Sequence, residues 1–386
     1  MKQLFINEIV NTISETSRFD VDELYAVNTS DILDGEFLNP PLLPVGELKG
    51  QFKKTIQKND ILFSEIRPAN RRFAKVPFDD CSKFVCSTKL MVLRKFNRDV
   101  DLDYFYYALT NQHFLNILQR RAENRIGSFP QITFELLSEY KFSIPSLEQQ
   151  KKIVSILSAL DNKIAMNKKM NQKLETMAKR LYDYWFVQFD FPDKNGRPYK
   201  TSGGPMTYNP TLKREIPVGW DVKCIEDVCR ILTGKEDANF ASGNGKFKFF
   251  TCSSEPSLCD KAAFEGHAVL IAGNGDFNVK HYSGKFNAYQ RTYVLIPPDK
   301  YYAMLYIAAL ERIDSFKSGS NGSIVKFITK GDVENICVFD GAPAILYSVI
   351  NNLIFQYEKI SLEIEKLSLF RNKLLPLLMN GQVTVA

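Results

Sequence analysis

The sequence predicts a mixed α/β (α+β) chain, with two globular domains in tandem repeat separated by two long helices that form an antiparallel coiled coil. Three observations predict it. A heptad-spaced apolar seam occurs twice, once in each half of the chain. A shift of 193 residues superposes the first seam on the second. The stretches ahead of the seams carry the same strand, turn and Tyr-rich motifs in the same order, the mark of a duplicated unit.

The first helix is expected over Ser146 to about Gln188, a stretch without Gly or Pro. Its seam is Ile153, Leu157, Leu160, Ile164, Leu174, Ala178, Leu181 and Trp185, with Asn167 and Asn171 filling the gap. A period of about 3.5 residues over roughly five heptads indicates a coiled-coil seam. At about 1.5 Å rise per residue the helix is roughly 60 Å long. Pro145, Ser146 and Gln149 give it a capping-box start. The second helix is expected over about Pro343 to Met379, with Gly381 just past its end. Its seam is Leu346, Ile350, Leu353, Tyr357, Ile360, Ile364, Leu367, Arg371, Leu374 and Leu378, and Pro376 is expected to kink or finish it. Pairing of the helices through these seams is expected, with Asn167, Asn171 and Arg371 as polar positions that fix register.

The globular units correspond segment by segment. KLMVLRK (89–95) matches RTYVLIP (291–297), both alternating strand patterns. Tyr-rich helical stretches follow, with Tyr104, Phe105, Tyr106 and Tyr107 in one and Tyr301, Tyr302 and Tyr306 in the other. GSFPQIT (127–133) matches GSIVKFIT (322–329), and ILFSEIRP (61–68) parallels AVLIAGNG (268–275). Short β runs between Gly, Pro and Asn turns make each unit mixed α/β. Between the halves, FDFPDKNGRPYKTSGGPM (189–206) has no hydrophobic period, and is expected to lie along a domain surface.

Composition bounds the function classes. Of the 386 residues 45% are apolar and 24% charged, which excludes a mainly disordered chain. No apolar run approaches the roughly 18 residues of a membrane span, and the first residues do not read as a signal peptide. Seven cysteines, an odd number, do not suggest a disulfide framework. The expectation is a soluble protein in a reducing, cytoplasmic setting. The net charge of +6 is a weak hint of nucleic acid, but its distribution says more. Residues 39–145 hold seventeen basic and eleven acidic residues, and 146–188 hold eight and four. A locally basic face can hold phosphate on a nearly neutral domain; a mixed solvated surface has the same composition.

Searches for catalytic constellations find none. There is no GxxxxGK[ST] loop; Gly243, Gly245 and Lys246 form only a short Gly-rich turn. Gly273 and Gly275 lack the third glycine of a dinucleotide fingerprint. His113, His267 and His281 have no metal spacing, and Cys81/Cys86, Cys224/Cys229 and Cys252/Cys259 are not CxxC pairs. No GxSxG elbow marks a nucleophile. Asp60, Glu65, Asp79 and Asp80 are too scattered for metal-dependent nuclease work. Asn39, Pro40, Pro41 and Leu42 resemble the Asn-Pro-Pro-aromatic loop of adenine N6-methyltransferases, but Leu42 replaces the aromatic and no glycine-rich cofactor loop accompanies it. The chain reads as one that binds and does not catalyse, with no metal or cofactor of its own.

For DNA, the candidate residues fall into clusters. Arg67, Arg71, Arg72 and Lys75 follow the 61–68 segment; Arg120, Arg121 and Arg125 lead to Ser128 and Gln131. In the second half Lys235, Lys246 and Lys248 flank the Gly/Asn/Ser loop, followed by Lys280, Lys285, Arg291, Lys317, Ser323 and Lys326. Arg reads guanine edges by a two-point contact, Gln and Asn read adenine, and Lys mostly holds phosphate. Each residue also has an ordinary reading as solvated charge, and the paired GS…IT segments as a shared turn and cap.

The central stretches carry a specific resemblance. IPSLEQQKKIVSILSALDNKI (144–164), YDYWFVQFDFPDKNGRPYKTSGGPM (182–206) and EIPVGWDV (215–222), in that order, resemble the middle of a type I restriction-modification specificity subunit. LSLFRNKLLPLLMNGQV (367–383) is similar to that family's C-terminal helix, so the resemblance covers nearly the whole chain. It implies two target-recognition domains, residues 1–144 and 207–341, each reading one half of an asymmetric bipartite site in double-stranded DNA. The connection is 189–206, and 145–188 and 342–386 supply the spacer helices and docking surface. It implies two methyltransferase subunits and restriction/translocase subunits as partners. S-adenosylmethionine, ATP and Mg belong to those partners, for adenine N6 methylation and restriction. One departure is that FDGAPAILYS (339–348) enters the second helix, not the capped IPSLEQQ of the first. The alternatives are a coiled-coil scaffold that does not bind DNA, and a degenerate adenine methyltransferase.

Overall fold

The structure, a computed structural model, describes residues 2–15, 21–124, 130–275, 277–318 and 327–383, without side chains for 315–318. It divides into two compact units, Met1–Ile164 with Lys366–Ala386, and Ala165–Glu365. Among the described residues no helix is long and apolar enough to cross a membrane.

The two long helices run Leu147–Tyr182 and Ala344–Met379. Each gives one stretch to either unit, and within each unit the stretches pack antiparallel. In the first unit Ile153 and Leu157 share a core with Leu374 and Leu378, and Arg371 Nη1 donates to Asp161 Oδ1 at 2.8 Å. In the second unit Asn171 Nδ2 donates to Ser361 Oγ at 2.7 Å, and Ala178 and Tyr182 share a core with Leu346, Ile350 and Ile354. Ile164, Asn167 and Asn171 are buried too, while Leu160, Leu174, Leu181, Leu353, Tyr357, Ile360, Ile364 and Leu367 are half-buried. The Ser146 hydroxyl caps the first helix by accepting from Gln149 N at 3.3 Å. The α-helix ends before Gln188: Asp183–Val187 is a π turn closed by Gln188 N on Asp183 O at 2.8 Å. Trp185 and Phe186, adjacent in this wider turn, both enter the core. Pro376 does not finish the second helix, which continues for nearly a turn to Met379. Gly381, at φ +68°, then takes the left-handed position that ends it.

The first unit holds two four-stranded sheets. One orders Leu42–Pro44, Glu23–Val27, Phe84–Ser87 and Phe52–Lys54; the other orders Val10–Ile13, Leu90–Lys95, Ile61–Ser64 and Phe73–Lys75. The second unit holds one six-stranded sheet: Ile231–Thr233, Thr292–Leu295, Phe264–Ala272, Val279–Ala288, Phe247–Phe250 and Ser257–Cys259. The first four of these repeat the order of the first unit's second sheet. The ten-residue Val279–Ala288 also pairs in parallel with Phe247–Phe250, as Phe84–Ser87 pairs in parallel with Glu23–Val27. One long strand thus does the work of two, and two sheets become one.

Each unit closes in the same way. Thr133 and Thr329 cap five-residue helices, Phe134–Ser138 and Lys330–Glu334. A strand follows each, Lys141–Ile144 or Cys337–Asp340, and leads into a long helix. Lys141–Ile144 pairs antiparallel with Lys2–Phe5, and Cys337–Asp340 with Asp221–Cys224. A short helix leaves each opening strand, at Ile6 or Ile225, with Ile6 N on Tyr140 O and Ile225 N on Ile336 O.

The connection 189–206 lies along the surface of the second unit, most of it exposed, and is pinned there by buried aromatics. Phe189 and Phe191 are 1% and 5% exposed, Phe191 stacks on Trp220 at 4.8 Å and on Tyr199 at 4.6 Å, and the Arg214 guanidinium covers the Phe189 ring at 4.9 Å. Phe189 and Phe191 enter the second unit's core and so anchor an aperiodic segment that otherwise stays at the surface.

Candidate nucleic-acid interface

In the first unit the strand Ile61–Ser64 runs into a tight turn. Arg67 and Arg71 both adopt left-handed backbone, φ +45° and +55°, around a 3-10 turn at Pro68–Asn70. Two non-glycine residues in that region within five positions cost on the order of 1 kcal/mol or more each, so the surroundings must hold them. The support is visible. Arg67 N donates to Pro130 O at 3.0 Å, and Ile66 bridges Gln131. Arg71 reaches Asp34 Oδ1 at 2.5 Å and Gln112 Oε1 at 2.7 Å. Arg72 Nη1 donates to Ser30 O and Ile32 O, each at 3.1 Å, and Lys75 is paired with Asp103. Arg71 and Arg72 therefore brace the turn and Lys75 is taken up by Asp103, whereas Arg67 is exposed without an ion-pair partner among the described residues.

The other candidates divide similarly. Arg120 is exposed at the end of the helix Gln112–Glu123, and Arg121 meets Glu139 at 3.0 Å. Gln131 Nε2 donates to Glu65 Oε2 at 2.8 Å. Arg125 and Ser128 lie outside the described residues.

In the second unit Lys235, Lys246 and Arg291 are exposed, again without ion-pair partners among the described residues. Lys248 binds Glu365 at 2.7 Å, and Lys285 lies 3.8 Å from Glu265 with both groups exposed. Lys280 Nζ donates to Thr251 O at 3.0 Å and Asn278 Oδ1 at 2.5 Å, and burial pushes its ammonium down to about 8. Lys317 lies in the helix Tyr302–Ser318; Ser323 and Lys326 lie outside the described residues. The two Ile-Thr segments come back together in structure. Asn274 bridges Phe327 as Ile66 bridges Gln131, which places the end of each paired motif beside the turn that follows the same strand of its sheet.

The remaining motifs have structural partners. Leu42 sits in a strand opposite Tyr25, and Pro41 O accepts from Ala26 N at 2.9 Å, so the Asn39–Leu42 segment is tied to a sheet. A Cβ on Gly245 would come within 2.4 Å of the Cys259 backbone; the turn is glycine-rich because strands pass closely there. Asp60, 1% exposed, is held by Arg94 through two contacts of 2.8 Å. Asp79 pairs with Lys58, and Asp80 accepts from Ser82 N. Among the described residues no three His, Cys, Asp or Glu stand together as a metal site.

One cluster has no signal in the sequence. Glu358, on the second long helix, accepts from His281 Nδ1 at 2.7 Å, Ser283 Oγ at 2.5 Å and Tyr302 OH at 2.5 Å. His267 Nδ1 meets the same Ser283 hydroxyl at 2.6 Å. Burial alone would raise the Glu358 carboxyl, but the hydrogen bonds from His281, Ser283 and Tyr302 outweigh it and hold it below the usual carboxylate range. The cluster anchors the sheet of the second unit to the helix that follows it.

Comparison with known proteins agrees with this architecture. The family profile "Type I restriction modification DNA specificity domain" matches residues 3–176 and 217–338. The HindI specificity subunit of Haemophilus influenzae is 39% identical over 192 residues, 49% of this chain and 41% of that protein. The EcoDI specificity subunit of Escherichia coli is 36% identical over 177 residues, 44% of this chain and 40% of that protein. The matched stretch thus spans about two fifths of the length of these relatives. The solved S subunit of a type I restriction-modification system from M. genitalium shares the fold, with a TM-score of 0.56 over 98% of this chain and 95% of that one, at 15% identity. With two profile blocks covering most of its length and falling on the two copies of the duplicated module, the chain belongs to the type I restriction modification DNA specificity domain family.

Proposed function

We propose that this chain is the sequence-reading, non-catalytic subunit of a type I restriction-modification complex. It binds double-stranded DNA, reads a bipartite asymmetric site and works in the cytoplasm. Residues 1–144 form the first reader and 207–341 the second; the long helices act as spacer and docking surface for two methyltransferase subunits. Restriction/translocase subunits join the assembly, and S-adenosylmethionine, ATP and Mg act in the partners. The observation that carries the reading is the pair of family blocks, 3–176 and 217–338, one on each β module. Two unlike modules, one with two four-stranded sheets and one with a six-stranded sheet, favour an asymmetric site. Arg67, Arg120, Lys235, Lys246 and Arg291, exposed at turns and helix or strand ends, are the foremost candidates for phosphate or base-edge contact. The test is coexpression with the methyltransferase subunit of its own system, followed by mapping of N6-methyladenine in the host DNA. Two short blocks around a fixed unspecified gap are expected. A single continuous motif, or no methylation with an active partner, overturns the proposal.

A further inference from the structure

The strand pair that closes the second unit contains an unassigned chemical feature. Cys224 and Cys337 stand directly opposite each other in the antiparallel pair Asp221–Cys224 with Cys337–Asp340, and their Sγ atoms lie 3.4 Å apart. The next pair outward, Ile225 with Ile336, is joined by a backbone hydrogen bond, Ile225 N to Ile336 O at 3.1 Å. Antiparallel ladders alternate, so Cys224 and Cys337 occupy a non-hydrogen-bonded pair. There the Cα atoms stand about 4.5 Å apart and the side chains are closest, inside the span that a disulfide bridges without backbone movement. The other five cysteines are also free thiols, and among the described residues no sulfur–sulfur contact besides this one is seen.

The first unit supplies an internal comparison. Ile6 N on Tyr140 O corresponds to Ile225 N on Ile336 O, so Phe5 and Lys141 occupy the places of Cys224 and Cys337. There the Lys141 ammonium lies over the Phe5 ring at 4.3 Å. The same cross-strand position carries a non-covalent tie in one copy and two thiols in the other.

We propose that Cys224 and Cys337 form a thiol–disulfide site, oxidised by small disulfides of the glutathione class, that clamps the neck through which the chain enters and leaves the second module. The Cys224 thiolate attacks one sulfur of the small disulfide, forming a mixed disulfide and expelling one small thiolate. Cys337 gives its proton to solvent, and its sulfur then displaces the second small thiolate from Cys224. Two protein thiols and one small disulfide become one protein disulfide and two small thiols, two electrons passing to the small molecule. Burial and the neighbouring Cys224 push the Cys337 thiol up. Cys337 also lines a cavity of about 330 Å³ with Val222, Arg312 and Asn335, so the pair lies beside an opening in the module.

The bond would close a loop of more than a hundred residues, Ile225 to Ile336, which contains nearly the whole second module. The test treats the reduced full-length chain with oxidised glutathione, blocks free thiols and maps peptides by mass spectrometry without reduction. A single cross-linked pair, Cys224 with Cys337, lighter by two hydrogens and opened by dithiothreitol, is expected. Loops of this length support a rise of roughly 10 °C in the melting temperature of the oxidised chain. Cys224→Ala and Cys337→Ala should each lose both cross-link and rise. Arrest at a glutathione adduct, cross-linking of any other cysteine pair in its place, or a cross-link without a thermal shift overturns the proposal. None of these outcomes depends on DNA recognition, so failure here is separate from failure of the proposed function.

Discussion

Glu358 offers the sharpest test of how the second module is held to its helix. Its carboxylate, whose side chain is only 17% exposed, accepts three hydrogen bonds from residues more than fifty positions away in sequence. Glu358→Ala leaves His281 Nδ1, Ser283 Oγ and Tyr302 OH without their acceptor in a largely dry site. Hydrogen bonds to a charged acceptor contribute about 1.5–3 kcal/mol each, but these three share one carboxylate and are not additive. Breaking a buried network of this kind costs about 3 kcal/mol. With a urea dependence of about 2–3 kcal/mol/M for a unit of this size, the unfolding midpoint should fall by about 1 M. Trp185 and Trp220, the chain's two tryptophans, both lie in the second unit's core, so their fluorescence follows that unit. The folded carboxyl titrates below its unfolded value, so its contribution is full above the unfolded value and disappears as pH falls through the folded one. The gap between wild type and variant should therefore be widest at neutral pH and narrow in acid. A midpoint unchanged at pH 7 would refute the anchoring role.

Four further outcomes are expected. Asp60→Ala strands the Arg94 guanidinium and should destabilise the first unit by about 3–5 kcal/mol, seen as faster hydrogen exchange in Ile61–Ser64 and Leu90–Lys95. Asn167 is 2% exposed with no partner for its Nδ2, so Asn167→Leu should stabilise by about 1 kcal/mol, a rise of roughly 2–4 °C in the melting temperature by calorimetry. In the assembled complex, Arg67→Ala should lower the slope of log affinity against log salt by about 1. Arg72→Ala should leave that slope in place and reduce stability, because Arg72 already serves Ser30 O and Ile32 O.

The features legible in the sequence are those with a local period or a local cap. The seams through Ile153, Leu157, Leu346 and Ile350 give both helices, Gly381 gives an ending, and the matched 61–68 and 268–275 segments give corresponding strands. Partnerships across distance are not legible. Nothing near Arg71 or Arg72 announces that Asp34 and two backbone carbonyls will claim them, so a basic cluster that reads as a DNA grip also works as a brace. The segment 189–206 lacks periodicity because its aromatics answer to Trp220 and Arg214, not to a helix or strand of their own. The Glu358 cluster joins positions 281, 283, 302 and 358, and no window of sequence contains them.

The paired closing strands also bear on exchange of parts between proteins. Each module departs from the frame at one residue, Ile6 or Ile225, and rejoins it across the strand pair at Tyr140 or Ile336. A gene conversion or a designed graft therefore has two natural splice points per module, facing each other across a single backbone hydrogen bond. A module with two four-stranded sheets and one with a six-stranded sheet already occupy equivalent necks in this chain, so the neck tolerates very different cargo. A graft made at these points leaves the sequence of both long helices unchanged.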